Sequence, residues 1–181
     1  MKRKKRLYIS LTFAGLLIVL TVISFSSTYI MDNFIGTSST AKGLTVSVVT
    51  RTSGGYFSAN NVIAIWIENN AGTFIKTLTV YADGCQKDLT EWEKSSKGNI
   101  KEAITGSTRT NYGHVEGFWN GTNASGKVVP DGIYKVCMEL NNKHGVNNYT
   151  SFAFTKGPYI VILTPQNQTG FSSLSIKWSP L

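Results

Sequence analysis

The sequence predicts an all-β fold, an immunoglobulin-like β-sandwich preceded by an N-terminal transmembrane helix. Three observations carry that expectation. From Leu44 onward apolar residues recur with period two in short segments, the spacing of strands with one buried face. Clusters of Gly, Asn and Pro separate these segments about every ten residues, and no long 3.6-period run interrupts them, as in β-sandwiches. Ahead of them stands a long charge-free run behind a knot of cations. With 15% charged and 12% aromatic residues in 181, the chain is neither disordered nor coiled coil, and it has room for one domain with an appendage.

Residues 1–6 read as a cytoplasmic basic segment and 7–30 as a transmembrane anchor or signal sequence. The 24 residues Leu7–Ile30 (LYISLTFAGLLIVLTVISFSSTYI) hold no charge, and as a helix they would extend about 36 Å, enough to cross a hydrocarbon core. The lipid bilayer is therefore the expected partner of residues 7–30. Lys2, Arg3, Lys4, Lys5 and Arg6 keep their end on the cytoplasmic side by the positive-inside rule, which puts the remainder outside as a single-pass protein. Ser24, Ser26 and Ser27 are small enough for a cleavage site, but the apolar run exceeds a usual signal-peptide core, which favours an uncleaved anchor. Residues 31–43 (MDNFIGTSSTAKG) lack periodicity and read as a linker.

The same cations account for most of the net charge. Eighteen Lys and Arg against ten Asp and Glu give +8; without the five at the N-terminus, 13 against 10 leaves +3. The basicity is a topology signal, and nucleic acid is not an expected partner.

Residues 44–181 read as the extracytoplasmic β domain. Leu44, Val46 and Val48 alternate with Thr45, Ser47 and Val49. Val62–Ile67 (VIAIWI) is apolar on both faces, as a central strand covered on two sides would be. Asn69-Asn70-Ala71-Gly72 supplies a tight turn into the strand Phe74–Tyr81. Val115–Trp119, Gly132–Leu140, Tyr149–Phe154, Tyr159–Leu163 and Leu174–Trp178 follow as strands. Between Asp83 and Asn111 the pattern breaks: a short helix is expected around Leu89, Trp92 and Glu93, and a long loop after Ser95. Loops of that length are often functional.

The two cysteines suit an oxidising compartment and are a candidate disulfide, Cys85 with Cys137, although spacing alone does not supply the geometry a bridge requires. Cys137 shares a strand face with Lys135 and Glu139, opposite Tyr134, Val136 and Met138. A thiol on a polar face calls for pairing or cover.

The most distinctive stretch is Trp119–Tyr134, WNGTNASGKVVPDGIY, which reads as a hairpin. Asn120-Gly121 and Ser125-Gly126 tolerate positive φ, and Pro130-Asp131-Gly132 adds a second turn. It resembles the signature of the immunoglobulin-like domain in flagellar hook-capping proteins, which implies a fold and no activity. Asn120 and Asn123 stand where that signature usually has Asp, so no calcium site is expected there.

A wider resemblance covers Leu44–Leu181. The blocks SANNVIAIWIENNAGTFIKTL, LTEWEKSS, EAITGSTR, WNGTNASGKVVPDGIY and ELNNKHG, then a terminal strand LSIKW, are similar in order to the predicted periplasmic proteins filed as domain of unknown function 2271. The resemblance implies a bacterial, periplasmic domain and names no reaction.

Within those blocks, Glu102-Ala103-Ile104-Thr105-Gly106-Ser107-Thr108 resembles the Asp-x-x-Ser/Thr-x-Ala-Thr sequence on which bacterial flavin transferases esterify FMN to a threonine. The resemblance implies Thr108 as acceptor, Glu102, Thr105, Gly106 and Ser107 as recognition residues, and covalent FMN as cofactor. An acceptor hydroxyl needs small neighbours and an accessible backbone, and Arg109 beside it suits a phosphate. Glu102 stands where Asp is usual and Ser107 where Ala is usual.

No catalytic residue is expected. His114 and His144 have no Cys or second His at ligand spacing, so no metal site is expected. There is no Gly-x-Ser-x-Gly elbow or paired-carboxylate motif. Of Trp66, Trp92, Trp119 and Trp178, the three on strands read as core. Two functions follow. The first is a tethered electron carrier with FMN on Thr108, with a flavin transferase and a membrane reductase as partners. The second is a non-catalytic interaction or scaffold module of the envelope that binds through the 83–111 segment.

Overall fold

Alternation is what builds the first strand: in β1 (Gly43–Thr50) Leu44, Val46 and Val48 are fully buried, whereas Thr45, Ser47 and Val49 are half-exposed. The computed structural model describes residues 42–52, 61–142 and 147–180. The predicted segments 1–6, 7–30 and most of 31–43 lie outside these residues, as does His144. No helix among the described residues is long and apolar enough to cross a membrane.

The remaining elements are β2 (Asn61–Asn69), β3 (Phe74–Asp83), α1 (Thr90–Ser96), β4 (Ile104–Ser107), β5 (His114–Trp119), β6 (Gly132–Asn142), β7 (Asn147–Lys156), β8 (Val161–Leu163) and β9 (Phe171–Ser179). They form two sheets, β5-β1-β9-β8 and β4-β3-β2-β6-β7, an all-β sandwich. All pairings are antiparallel except β3 with β4. The last strand is structural: β9 lies between β1 and β8 and buries Phe171, Leu174, Ile176 and Trp178.

The inner faces meet in one core that includes Val46, Ile63, Ile65, Leu78, Val136, Met138 and Ile176. At one end an aromatic block closes it, Trp119 lying 5.2 Å from Tyr134, 6.1 Å from Phe154 and 6.1 Å from Trp178 between ring centroids. Edge-on and tilted pairs of this kind exceed their area burial in stability.

A second apolar cluster lies on the outer face of the five-stranded sheet. Val62, Ala64, Trp66, Val80, Ala82 and Cys137 are capped there by Leu89, just before α1, and Trp92 of α1. This explains why β2 is apolar on both faces. It also corrects the reading of Cys137 and Glu139 as a polar face: both are 0% exposed, because α1 covers them. The candidate Cys85–Cys137 disulfide is not formed. Both are free thiols, Cys85 half-buried and Cys137 packed inside, and burial pushes the Cys137 thiol up to about 12.

Glu139 is the reason α1 can sit there. A helix of seven residues does not form alone, and its N-cap, Leu89, has no side chain to cap with. Instead the Glu139 carboxylate accepts the backbone N–H of Trp92 at 2.7 Å and of Glu91 at 3.1 Å. Asn147 Nδ2 and Thr90 Oγ1 donate to the same carboxylate. A negative charge at the positive end of a helix is favourable.

Two further expectations are corrected. Trp119–Tyr134 is not a hairpin between paired strands, since β5 and β6 belong to different sheets. It is a crossover holding a small nested turn, closed by the Thr122–Val128 bridge and by Asn123 Oδ1, which accepts the N–H groups of Ser125 and Lys127. Trp119 Nε1 donates to Thr122 O and the Tyr134 hydroxyl to Pro130 O, which fixes the crossover to the core. The loop predicted after Ser95 contains β4. The Asn69–Gly72 turn forms as expected, with Gly72 at φ 82 and Asn69 Oδ1 accepting the Thr73 N–H.

Candidate functional site

The segment Glu102–Thr108 runs along one border of the five-stranded sheet. β4 pairs in parallel with β3, Ile104 opposite Thr79, Thr105 opposite Val80, Gly106 opposite Tyr81 and Ser107 opposite Asp83. β4 is the terminal strand of its sheet, and among the described residues only its edge toward β3 is paired. Ile104, Thr105 and Ser107 are exposed. Such an edge is a template for an added strand from another chain.

Gly106 is required by packing. A Cβ there would lie 2.9 Å from the Tyr81 ring, so only glycine lets β4 lie flat on it. Beyond β4 the Arg109 guanidinium lies over the same ring, 4.0 Å from its centroid. Arg109 Nη1 donates to His114 O at 2.8 Å, and Arg109 O accepts the Asn61 N–H at 2.7 Å. Tyr81 thus holds the strand and its exit together.

Thr108 follows directly on β4. It is half-buried, and its hydroxyl donates to Asp83 O at 3.2 Å. Beside it is a cleft of about 340 Å³ on the outer face of the sheet, lined by Val80, Ala82, Asp83, Gln86, Ile100, Thr105, Gly106 and Ser107. β3 forms its floor, β4 one side, and the 3-10 turn Gln86–Asp88 leading into α1 another.

Of the residues predicted from sequence, Thr105, Gly106 and Ser107 line this cleft and Thr108 adjoins it. Glu102 is set apart. It precedes β4, at most about 20 Å of extended chain from Thr108, with φ 61. Its carboxylate takes a hydrogen bond from Lys76 Nζ at 2.5 Å. Lys76 is 5% exposed and also reaches Thr122 Oγ1 at 3.2 Å, so Glu102 neutralises a buried cation. The hydrogen bond and charge of Lys76 hold the Glu102 carboxyl below the usual carboxylate range. Arg109 is beside Thr108 but already engaged with Tyr81 and His114, so a phosphate would draw on the rest of its donor fork.

Tyr81, Asp83, Gln86 and Ile100 complete the site and were not singled out from sequence. The parallel β3–β4 register places Tyr81 and Asp83 beside the strand, and Gln86 and Ile100 come from the turn before α1 and the loop after it, within the 83–111 segment.

The chain belongs to the predicted periplasmic proteins of domain of unknown function 2271. The match covers residues 43–165. No curated protein and no solved structure matches the chain. Membership in family 2271 supports an extracytoplasmic domain and leaves the activity open. The matched segment includes the whole β4 site but stops before β9, the strand that completes the four-stranded sheet.

Other chemistry-bearing groups lie apart. Ser47 Oγ is 2.8 Å from His114 Nε2, and Glu116 Oε1 is 3.6 Å from that same nitrogen. A proton relay needs the acid on the opposite ring nitrogen, so this trio on an exposed sheet face is a surface contact. Among the described residues no group of three or more His, Cys, Asp or Glu side chains is placed to hold a metal ion.

Proposed function

We propose that this protein is a membrane-tethered, extracytoplasmic electron carrier whose FMN is esterified to Thr108. The observation that supports it is the position of the motif: a largely exposed edge strand, with the small residues Gly106 and Ser107 at its end, that finishes beside a cleft. A transferase can read such a strand by adding its own backbone to the free edge. In the modification, Thr108 Oγ1 forms a bond to the FMN phosphorus of FAD. The pyrophosphate bond breaks, AMP leaves with the electron pair, and the hydroxyl proton passes to a base of the transferase.

The residues fit the group. Thr108 is close to the surface, Gly106 and Ser107 leave space around it, and Arg109 offers further N–H donors next to a phosphate. When bound, the flavin supplies the redox chemistry; the sandwich supplies position and exposure. A covalent link suits a carrier outside the cytoplasm, and residues 7–30 would keep it near a membrane reductase.

The test is in-gel fluorescence and intact mass after co-expression with a flavin transferase. The wild type gains FMN less one water, Thr108→Ser keeps the label, and Thr108→Ala loses it. A dark wild type, or a fluorescent Thr108→Ala, overturns the carrier reading. A non-catalytic envelope interaction module then takes its place; the exposed Tyr159, Ile160 and Ile162 around β8 favour that second reading.

A further inference from the structure

We infer that the cleft between β4 and the approach to α1 is the seat of the flavin's isoalloxazine ring; this rests on the carrier reading and specifies where the tethered cofactor lies. The ring is flat, apolar along its dimethylbenzene end, and rich in donors and acceptors along its pyrimidine end. The cleft has the same division. Its exposed apolar surface comes from Ile100, 40% exposed, at the wall, while Val80 and Ala82 are sealed beneath the floor. Asp83, Gln86, Thr105 and Ser107 supply polar groups around it. Small-molecule sites commonly combine an apolar lining with a few such groups, at volumes from roughly 300 Å³ upward, and this one measures about 340 Å³.

The attachment point favours this cleft over the other described cavities. Ser107 lines it, and Thr108 is the next residue. The cavity lined by Trp66, Glu68 and Tyr149 and the groove lined by Phe152 and Ile162 involve no residue of β4. Tethering also relaxes the affinity needed. A group held on a short linker has an effective concentration on the order of millimolar, so even weak intrinsic affinity keeps the ring seated. Seating matters for a carrier: one face of the ring is shielded from water and side reactions, and the other stays open to a redox partner.

Two measurements on the full chain decide it. In the unmodified protein, titration with free FMN raises flavin fluorescence anisotropy saturably, with half-saturation on the order of millimolar or below. In the flavinylated protein, iodide quenches the flavin about half as strongly as it quenches free FMN, because the cleft covers one face of the ring and leaves the other open. Two substitutions at the cleft outside Glu102–Thr108 probe the seat: Ile100→Asp, which charges the wall, and Gln86→Phe, which fills the space. Both raise iodide quenching toward the free value, read on the labelled fraction of each variant. Quenching equal to free FMN in the wild type, protection unchanged in both variants, or no saturable binding of free FMN overturns the seat. A wild type that binds free FMN but is never labelled sinks the ester on Thr108 and leaves the seat standing.

Discussion

Replacing Glu139 with Gln tests whether α1 is held by a carboxylate from a neighbouring strand. The wild-type carboxylate is fully buried and accepts N–H groups of the first helical turn from Glu91 and Trp92, with Asn147 and Thr90 donating as well. Glutamine keeps the shape but loses the charge and turns one acceptor oxygen into an NH2, which must then face a donor. Hydrogen bonds to charged groups contribute about 1.5–3 kcal/mol and an unsatisfied buried donor costs about 1–3 kcal/mol. The lost interaction with the helix end adds about 0.3–2 kcal/mol. Since these overlap, the expected loss is about 2–4 kcal/mol, or about one and a half to three powers of ten in an equilibrium constant.

The assay is amide hydrogen exchange with urea unfolding. First-turn amides of a helix normally lack partners and exchange fast; in the wild type those of Glu91 and Trp92 should be protected. In Glu139→Gln they should exchange about 30- to 700-fold faster, and the urea midpoint should fall. The loss should spread to Trp66 and Cys137, since α1 seals their cluster. A variant within about 0.5 kcal/mol of wild type, the range of ordinary surface substitutions, with unchanged protection of both amides, would refute the cap.

Three more expectations follow from the structure. A chain ended after Pro165 keeps the family match but loses β9; burial of Phe171, Leu174, Ile176 and Trp178 at about 1.5–3 kcal/mol each approaches the whole stability of a domain, so circular dichroism should show no cooperative unfolding. The Cys137 thiol, buried and raised to about 12, should resist a thiol reagent until urea is added, whereas Cys85 reacts first; a single bridged species by intact mass would contradict this. Because the folded value of Cys137 is raised, its contribution to stability is present below the unfolded thiol range and declines as pH rises through the folded value. Glu102 has the opposite sign. Its folded value is lowered by Lys76, so its contribution holds above the unfolded carboxylate value and fades as pH falls toward the folded one. Stability of Glu102→Gln should therefore depend less on pH in the acid range, and equal pH profiles would argue against the Lys76 pairing.

What was legible in the sequence, and what was not, divides by how local the cause is. The eight strands with alternating or continuous apolar residues could be read because each carries its own pattern, and VIAIWI even announced that β2 is covered twice. β4 carries no such pattern. Ile104-Thr105-Gly106-Ser107 becomes a strand only because the edge of β3 accepts it in parallel and Tyr81 leaves space for a residue without a side chain. The same limit explains Cys137 and Glu139, whose cover comes from α1 more than forty residues earlier in the chain. It explains the crossover at Trp119–Tyr134 too, since turn residues look alike whether they join neighbours in one sheet or strands in two. For the site, Thr105–Thr108 was visible as a motif, but Glu102 belonged to it only in sequence, because a buried Lys76 claims its charge. Tyr81, Asp83, Gln86 and Ile100 enter through register and packing. The cleft therefore depends on α1 keeping its place, and α1 depends on Glu139. Loosening that cap should open the cleft as well as the cluster, so in flavinylated protein Glu139→Gln should raise iodide quenching of the flavin although no atom of Glu139 lines the cleft.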